Sequence, residues 1–311
     1  MSFVEDALKF HAEHNGMLAV ASKVPLNNRE DLALAYTPGV AEPCKAIKEN
    51  KELSFEYTCR GNTVAIVSDG TRVLGLGDIG PEAAMPVMEG KAVLFKTFGD
   101  VDAIPICIDT KDPEEIIETV RRLQPTFAGI NLEDFSSPKC YEIEDRLREI
   151  CDIPVFHDDQ HGTAIACLSA VMGALRYVKK DIKDVKVVVN GCGAGGSAIG
   201  RLFVSMGFPN VIMVERVGAL YKGIDAKLDK IQRYLSEVTN PNMEKGTLAE
   251  VAKGADILVG VSGPNLFTKE IIGSMADKAI VFGLANPVPE TSYEAAIAAG
   301  AAVAGARLPA Q

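Results

Sequence analysis

Residues 185–203 read VKVVVNGCGAGGSAIGRLF, and this stretch decides the fold. An apolar run, VKVVVN over 185–190, predicts a strand. The pattern G-x-G-x-x-G follows as Gly191, Gly193 and Gly196, and SAIGRLFVSM then reads as a helix. Alone the glycine pattern is weak. Between a strand and a helix it is the fingerprint of a dinucleotide-binding turn. Gly191 permits the tight turn, Gly193 and Ala194 let backbone approach a pyrophosphate, and Gly196 lets helix and strand pack closely. Cys192 and Gly195 complete the cradle, and the helix N-terminus offers N–H groups and a positive dipole end to phosphate. The next strand, VIMVE over 211–215, ends in Glu215, which lies 24 residues beyond Gly191. A carboxylate there accepts from a ribose 2′-hydroxyl and repels a 2′-phosphate, which favours NAD. Arg216 is adjacent and keeps NADP open as the alternative.

Outward from this stretch, strands and helices alternate. Downstream come TLAEVAKG, DILVGVS, TKEIIGSM, AIVFGLAN and SYEAAIAAG. Upstream, VAIV (64–67), DAIPICI (102–108), FAGINL (127–132) and PVF (154–156) read as strands. DPEEIIETVRRL (112–123) opens with a capping Asp and an early Pro, a helix start. SPKCYEIEDRLREI (137–150) repeats the pattern with Ser. GTAIACLSAVMGALRYV (162–178) is apolar on most faces, which predicts a helix buried between layers. Residues 3–14 read as a helix, and a loop-rich stretch with PLNN (25–28) and TPGVAEPC (37–44) follows it. Alternation of this kind implies parallel β-α-β units. The expected fold is α/β, with a catalytic, metal-binding domain over 1–160 and a Rossmann-type NAD(P)-binding domain over 161–311.

A chain of 311 residues has room for about two domains. Its net charge of −10 and low aromatic content argue against nucleic-acid partners. An anionic substrate needs only a local positive site. No apolar stretch has the length of a membrane span, and the N-terminus has no apolar core of a signal peptide. Seven cysteines without a C-x-x-C pair read as small buried hydrophobes in a reducing compartment. The resulting expectation is a cytoplasmic protein without nucleic-acid or membrane partners.

The first half carries its own chemistry. Glu133 and Asp134 follow the strand FAGINL, and Asp159 follows PVF. Strand ends of a parallel sheet share one rim, where ligands bind. Three oxygen donors suit Mg²⁺ or Mn²⁺, while helix capping and solvated loop acids are the plain alternative. His157 and His161 flank these acids in HDDQH; a third soft ligand is lacking, so hydrogen-bonding roles fit better than zinc. Arg72, bracketed by glycines in GTRVLGLGDIG, suits a bidentate grip on a substrate carboxylate. Lys91 sits among apolar residues in MEGKAVLF. It is either a base with a lowered pKa or a snorkelling helix residue. Tyr36 precedes a Pro-Gly turn, either as a hydroxyl proton donor or as a core ring.

In this order, YTPGVAEPC, TRVLGLGDIGPEAAMPVMEGK, INLEDF, FHDDQHGTA, NGCGAGGSAIG and GLANPVPE resemble the malic enzymes, the small bacterial-type subunit in particular. The resemblance extends from about residue 15 to 300. It implies a metal- and NAD(P)-dependent oxidative decarboxylation of L-malate to pyruvate and CO₂. It further implies Tyr36 as general acid, Lys91 as general base, and Asp158 holding Lys91. Glu133, Asp134 and Asp159 would be metal ligands, and Arg72 would grip a malate carboxylate. Asn286, in LANPVPE, would lie between the nicotinamide ribose and the substrate. The family also implies a homodimer or larger assembly, with the segment around Tyr36 packing on a partner. One departure stands out. The family's chain continues past AGAAVA into a glycine-rich turn and a second substrate-binding Asn, whereas this sequence reads AGAAVAGARLPAQ. Two alternatives therefore stay beside the decarboxylase: a dehydrogenase of another 2-hydroxy acid, and a non-catalytic dinucleotide-binding or oligomerisation module.

Overall fold

The structure, a computed structural model, describes residues 3–73 and 75–306. The end of the AGAAVAGARLPAQ stretch lies outside the described residues. The chain divides into two compact units, one comprising residues 1–135 and 142–156, the other 136–141 and 157–311.

The first unit opens with α1 (Phe3–His14), α2 (Arg29–Ala35) and α3 (Ala41–Glu49), none of which buries a residue. A short α4 (Ser54–Tyr57) leads to β1 (Thr63–Ser68). Then come α5 (Pro81–Gly99), β2 (Asp102–Cys107), α6 (Pro113–Leu123), β3 (Gly129–Leu132), α7 (Lys139–Ile150) and β4 (Val155–His157), of which residues 139–141 and 157 belong to the second unit. The sheet order is β2-β1-β3-β4, and β1 pairs with β2 and β3 in parallel. Ile66 and Ala103 from the sheet pack with Met88 and Ala92 of α5. The start of α6 follows its sequence signal: the Asp112 carboxylate accepts from the Glu114 and Glu115 amides at 2.8 and 3.2 Å, and Pro113 follows.

The second unit contains α8 (Asp158–Val178), β5 (Lys186–Asn190), α9 (Ala194–Ser205), β6 (Asn210–Glu215), β7 (Gly218–Ala219) and α10 (Lys230–Val238). It continues with α11 (Leu248–Val251), β8 (Ile257–Gly260), α12 (Lys269–Gly273), β9 (Ile280–Gly283), α13 (Tyr293–Ala298) and β10 (Val303–Ala306). The sheet runs β10-β9-β8-β5-β6-β7, all parallel except the short β7. Both faces are covered: Val187 and Val189 pack in one core, and Val188 in the other. Burying each such side chain contributes about 1.5–3 kcal/mol. The chain steps from β5 to β6 on one side and returns to β8 on the other, so β5 and β8 flank the switch point where ligands bind.

Helix α8 departs from the expectation. It begins at Asp158, four residues before GTAIAC, and it is buried on one stripe only: Ala164, Cys167, Val171, Ala174, Leu175 and Val178. Its other face is open, with Ile165 and Tyr177 exposed. The cysteines divide as well: Cys140, Cys167 and Cys192 are buried, whereas Cys44 and Cys59 are exposed. Among the described residues no helix is long and apolar enough to cross a membrane.

Candidate active site

In the first unit the carboxyl end of the sheet gathers the charged groups. The Glu133 amide donates to the Val67 carbonyl at 2.8 Å, so the loop after β3 begins beside β1. Asp134 follows in the left-handed region at φ 58°, a conformation Asp tolerates better than most residues. Both acids are buried. The loop after β1 is knitted to this corner: the Thr71 amide and hydroxyl both bond the Asp69 carboxylate, at 3.0 and 2.7 Å. The Arg72 amide donates to the Asp134 carbonyl at 2.9 Å, and the Arg72 side chain is exposed. The chain doubles back at Gly70 (φ 68°), where a Cβ would collide with the Gly80 carbonyl, and α5 starts one residue later.

Helix α5 carries Lys91 to the same corner. Its ammonium lies 2.9 Å from Glu133 Oε1, and Asn131 Nδ2 donates to Glu133 Oε2 at 2.8 Å. Lys91 is therefore held at a carboxylate, not snorkelling to solvent. The sequence alone does not mark Asn131. It lies on β3 two residues before Glu133, and that period of two is the signal that finds it. Tyr36, at the end of α2, is 68% exposed, so it is not a core ring. Two adjacent buried carboxylates, offering hard oxygen and no sulfur or imidazole, fit a divalent cation such as Mg²⁺ or Mn²⁺.

In the second unit, His157 ends β4, and Asp158 and Asp159 form the first turn of α8, where carboxylates suit the helix dipole. His157 precedes the helix, so HDDQH does not place its histidines on one helical face. Gly162 makes room for Asp158: a Cβ there would overlap the Asp158 carboxylate. The same turn packs on the start of α9, where a Cβ on Gly195 would stand 3.3 Å from the Asp159 carbonyl.

The glycine loop has the geometry its sequence requires. Gly191 has φ 111°, a Cβ on Gly196 would overlap the Gly191 carbonyl, and nothing lies within 4 Å of a Cβ on Gly193. The close-packed and open glycines are thus distinct. Glu215 Oε2 accepts from the Cys192 amide at 3.2 Å, and its Oε1 accepts from the Arg216 amide at 3.0 Å. The carboxylate is fixed beside the loop. Burial pushes the Cys192 thiol well above its ordinary range, helped by Glu215 and Asp229. Asn286 is exposed in the loop after β9.

Paired acids beside a lysine in one α/β unit, and a dinucleotide cradle in the other, define a nicotinamide-dependent oxidoreductase. Residues 15–148 match the malic enzyme N-terminal domain, and residues 160–304 match the malic enzyme NAD binding domain. The chain is 49% identical to the bifunctional malic/malolactic enzyme of Bacillus subtilis, over 98% of this chain and 74% of that one. It is 52% identical to the NAD-dependent malic enzyme of Geobacillus stearothermophilus, over 90% of this chain and 59% of the relative. Against the longer NADP-dependent malic enzyme of Escherichia coli it is 46% identical and spans 38% of that protein. The crystal structure of the NAD-dependent malic enzyme of Thermotoga maritima superposes with a TM-score of 0.93 at 47% identity, covering 97% of this chain and 80% of that one. The chain belongs to the malic enzyme family.

Proposed function

We propose that the protein oxidises and decarboxylates L-malate to pyruvate and CO₂, reducing NAD in preference to NADP. The observation that carries this reading is the contact of Lys91 with Glu133, 2.9 Å apart beside the buried Asp134. Glu133, Asp134 and Asp159 would hold a divalent cation, which when bound would polarise the substrate hydroxyl and carboxyl oxygens. The nicotinamide supplies a hydride acceptor. Lys91 takes the hydroxyl proton, and Tyr36 returns a proton to the carbon that loses CO₂. Arg72 pairs with a malate carboxylate, and Asp158 supports the base. Asn286 bonds the nicotinamide ribose and the substrate. Gly191 to Gly196 receive the pyrophosphate. Glu215, already fixed at the loop, receives the adenosine ribose and repels a 2′-phosphate.

A homodimer is part of this reading. Helices α1 to α3 bury no residue and expose Phe3, Leu8, Leu34 and Tyr36. A second copy would cover that apolar surface. Light scattering should give twice the 33.2 kDa chain mass, and a monomer at that mass would overturn the dimer.

The deciding assay follows NADH formation with L-malate and Mn²⁺, with CO₂ and pyruvate as measured products. Chelator-sensitive turnover is expected. NADH without CO₂ would point instead to a dehydrogenase of another 2-hydroxy acid. Binding of NADH with no turnover would leave a dinucleotide-binding module and overturn the catalytic reading.

A further inference from the structure

Glu290 is fully buried in the second unit, and no role for it follows from the proposed chemistry. Among the described residues it has no ion-pair partner. Its carboxylate is satisfied by backbone alone. Oε1 accepts from the Ser262 and Gly263 amides at 2.7 and 3.3 Å, and Oε2 accepts from the Ala285 amide at 3.1 Å. One carboxylate therefore spans the loop after β8 and the loop after β9. The backbone of the same segment adds two ties: the Phe267 amide donates to the Glu290 carbonyl and the Asn265 amide to the Pro289 carbonyl, both at 3.1 Å. The brace reaches the glycine loop as well, because Asn190 Nδ2 donates to Ser262 Oγ at 2.7 Å. Gly260 is shaped to it, since a Cβ there would collide with the Glu290 carboxyl carbon.

The sheet order says what this brace serves. Glu215 at the end of β6 marks the adenosine side, and the Gly191 loop at the end of β5 marks the pyrophosphate. The remaining half of a dinucleotide runs to the other side of the switch point, across the ends of β8 and β9. Those are the two loops that Glu290 ties, and Ala285 immediately precedes Asn286. We propose that Glu290 is a positioning residue that holds the loops after β8 and β9 in register for the nicotinamide half of the cofactor. It leaves the adenosine half untouched. This rests on the dinucleotide reading above.

The test compares NADH with ADP, which carries the adenosine and pyrophosphate but no second nucleoside. Both are titrated against the full chain and against Glu290→Gln. The amide keeps the size of the side chain but turns one acceptor oxygen into a donor facing an N–H. Breaking one buried contact of this kind is expected to weaken NADH by about tenfold and leave ADP affinity unchanged. Glu290→Asp keeps the charge but falls one methylene short of spanning both loops, and should show the same selective loss. Equal weakening of both ligands, no weakening of either, or loss of the folded state in both variants would overturn the proposal. If the unaltered chain binds neither ligand, the dinucleotide reading fails too. If it binds NADH and the variants bind it equally well, only the assignment of Glu290 fails.

Discussion

Glu133 and Glu290 are both buried carboxylates at the carboxyl ends of parallel strands, one in each unit, yet their partners differ in kind. Glu133 meets side-chain groups, the Lys91 ammonium and the Asn131 amide. Glu290 is met by three backbone N–H groups from two loops. A side-chain partner can turn away and release a carboxylate to a cation or substrate; a backbone amide cannot move without its loop. The same residue type is thus a reactive group in one unit and a brace in the other. Burial does not separate the two cases, and the chemistry of the donors does.

The sharpest way to break that contrast is at Lys91. Loss of a general base costs about 10²- to 10⁴-fold in turnover. Lys91→Ala is therefore expected to lower kcat on malate by that order while leaving NADH affinity unchanged, because the dinucleotide cradle lies in the other unit. Steady-state rates and an NADH titration on the same preparation check it. Retained turnover would reduce the Lys91–Glu133 contact to an ordinary ion pair, and the distinction from Glu290 would fall with it.

The sequence is legible where local chemistry is sufficient. The strand, glycine turn and helix at 185–205 are a contiguous pattern, and the Asp112 cap is visible in four letters. The place of Glu133 and Asp134 at a strand end is legible because they directly follow an apolar strand. Glu290 is not. Ser262 lies 28 residues before it in the chain, and the atoms it meets there are main-chain amides that every residue but proline carries. No side-chain pattern can announce them. Helix α8 failed for a different reason. Its apolar letters predict all-round burial, but alanine, serine and glycine are small enough to stand exposed, as at Ala166, Ser169, Ala170 and Gly173. Its start lies ahead of the boundary that Gly162 suggests, because Asp158 and Asp159 form a first turn that favours a helix. For Tyr36 the sequence allows ring packing or chemistry, and its exposure removes the first.

Within the glycine loop the contrast between brace and receptive site recurs at smaller scale, and one methyl group resolves it. At Gly196 an added Cβ would overlap the Gly191 carbonyl and crowd Val261, so backbone must shift. Overpacking of this kind costs about 1–3 kcal/mol. At Gly193 an added Cβ meets nothing within 4 Å, and the backbone there, at φ −71°, suits any residue. Gly196→Ala is accordingly expected to lower the unfolding midpoint and NADH affinity together. Gly193→Ala should leave the midpoint where it is and weaken NADH alone, because the methyl then occupies space meant for the pyrophosphate. Thermal melts with and without NADH separate the two. If Gly193→Ala leaves NADH affinity unchanged, the open side of the loop is not where the cofactor approaches. If Gly196→Ala leaves the melt unchanged, the helix has room to slide along β5, and its close packing there is not a constraint on the fold.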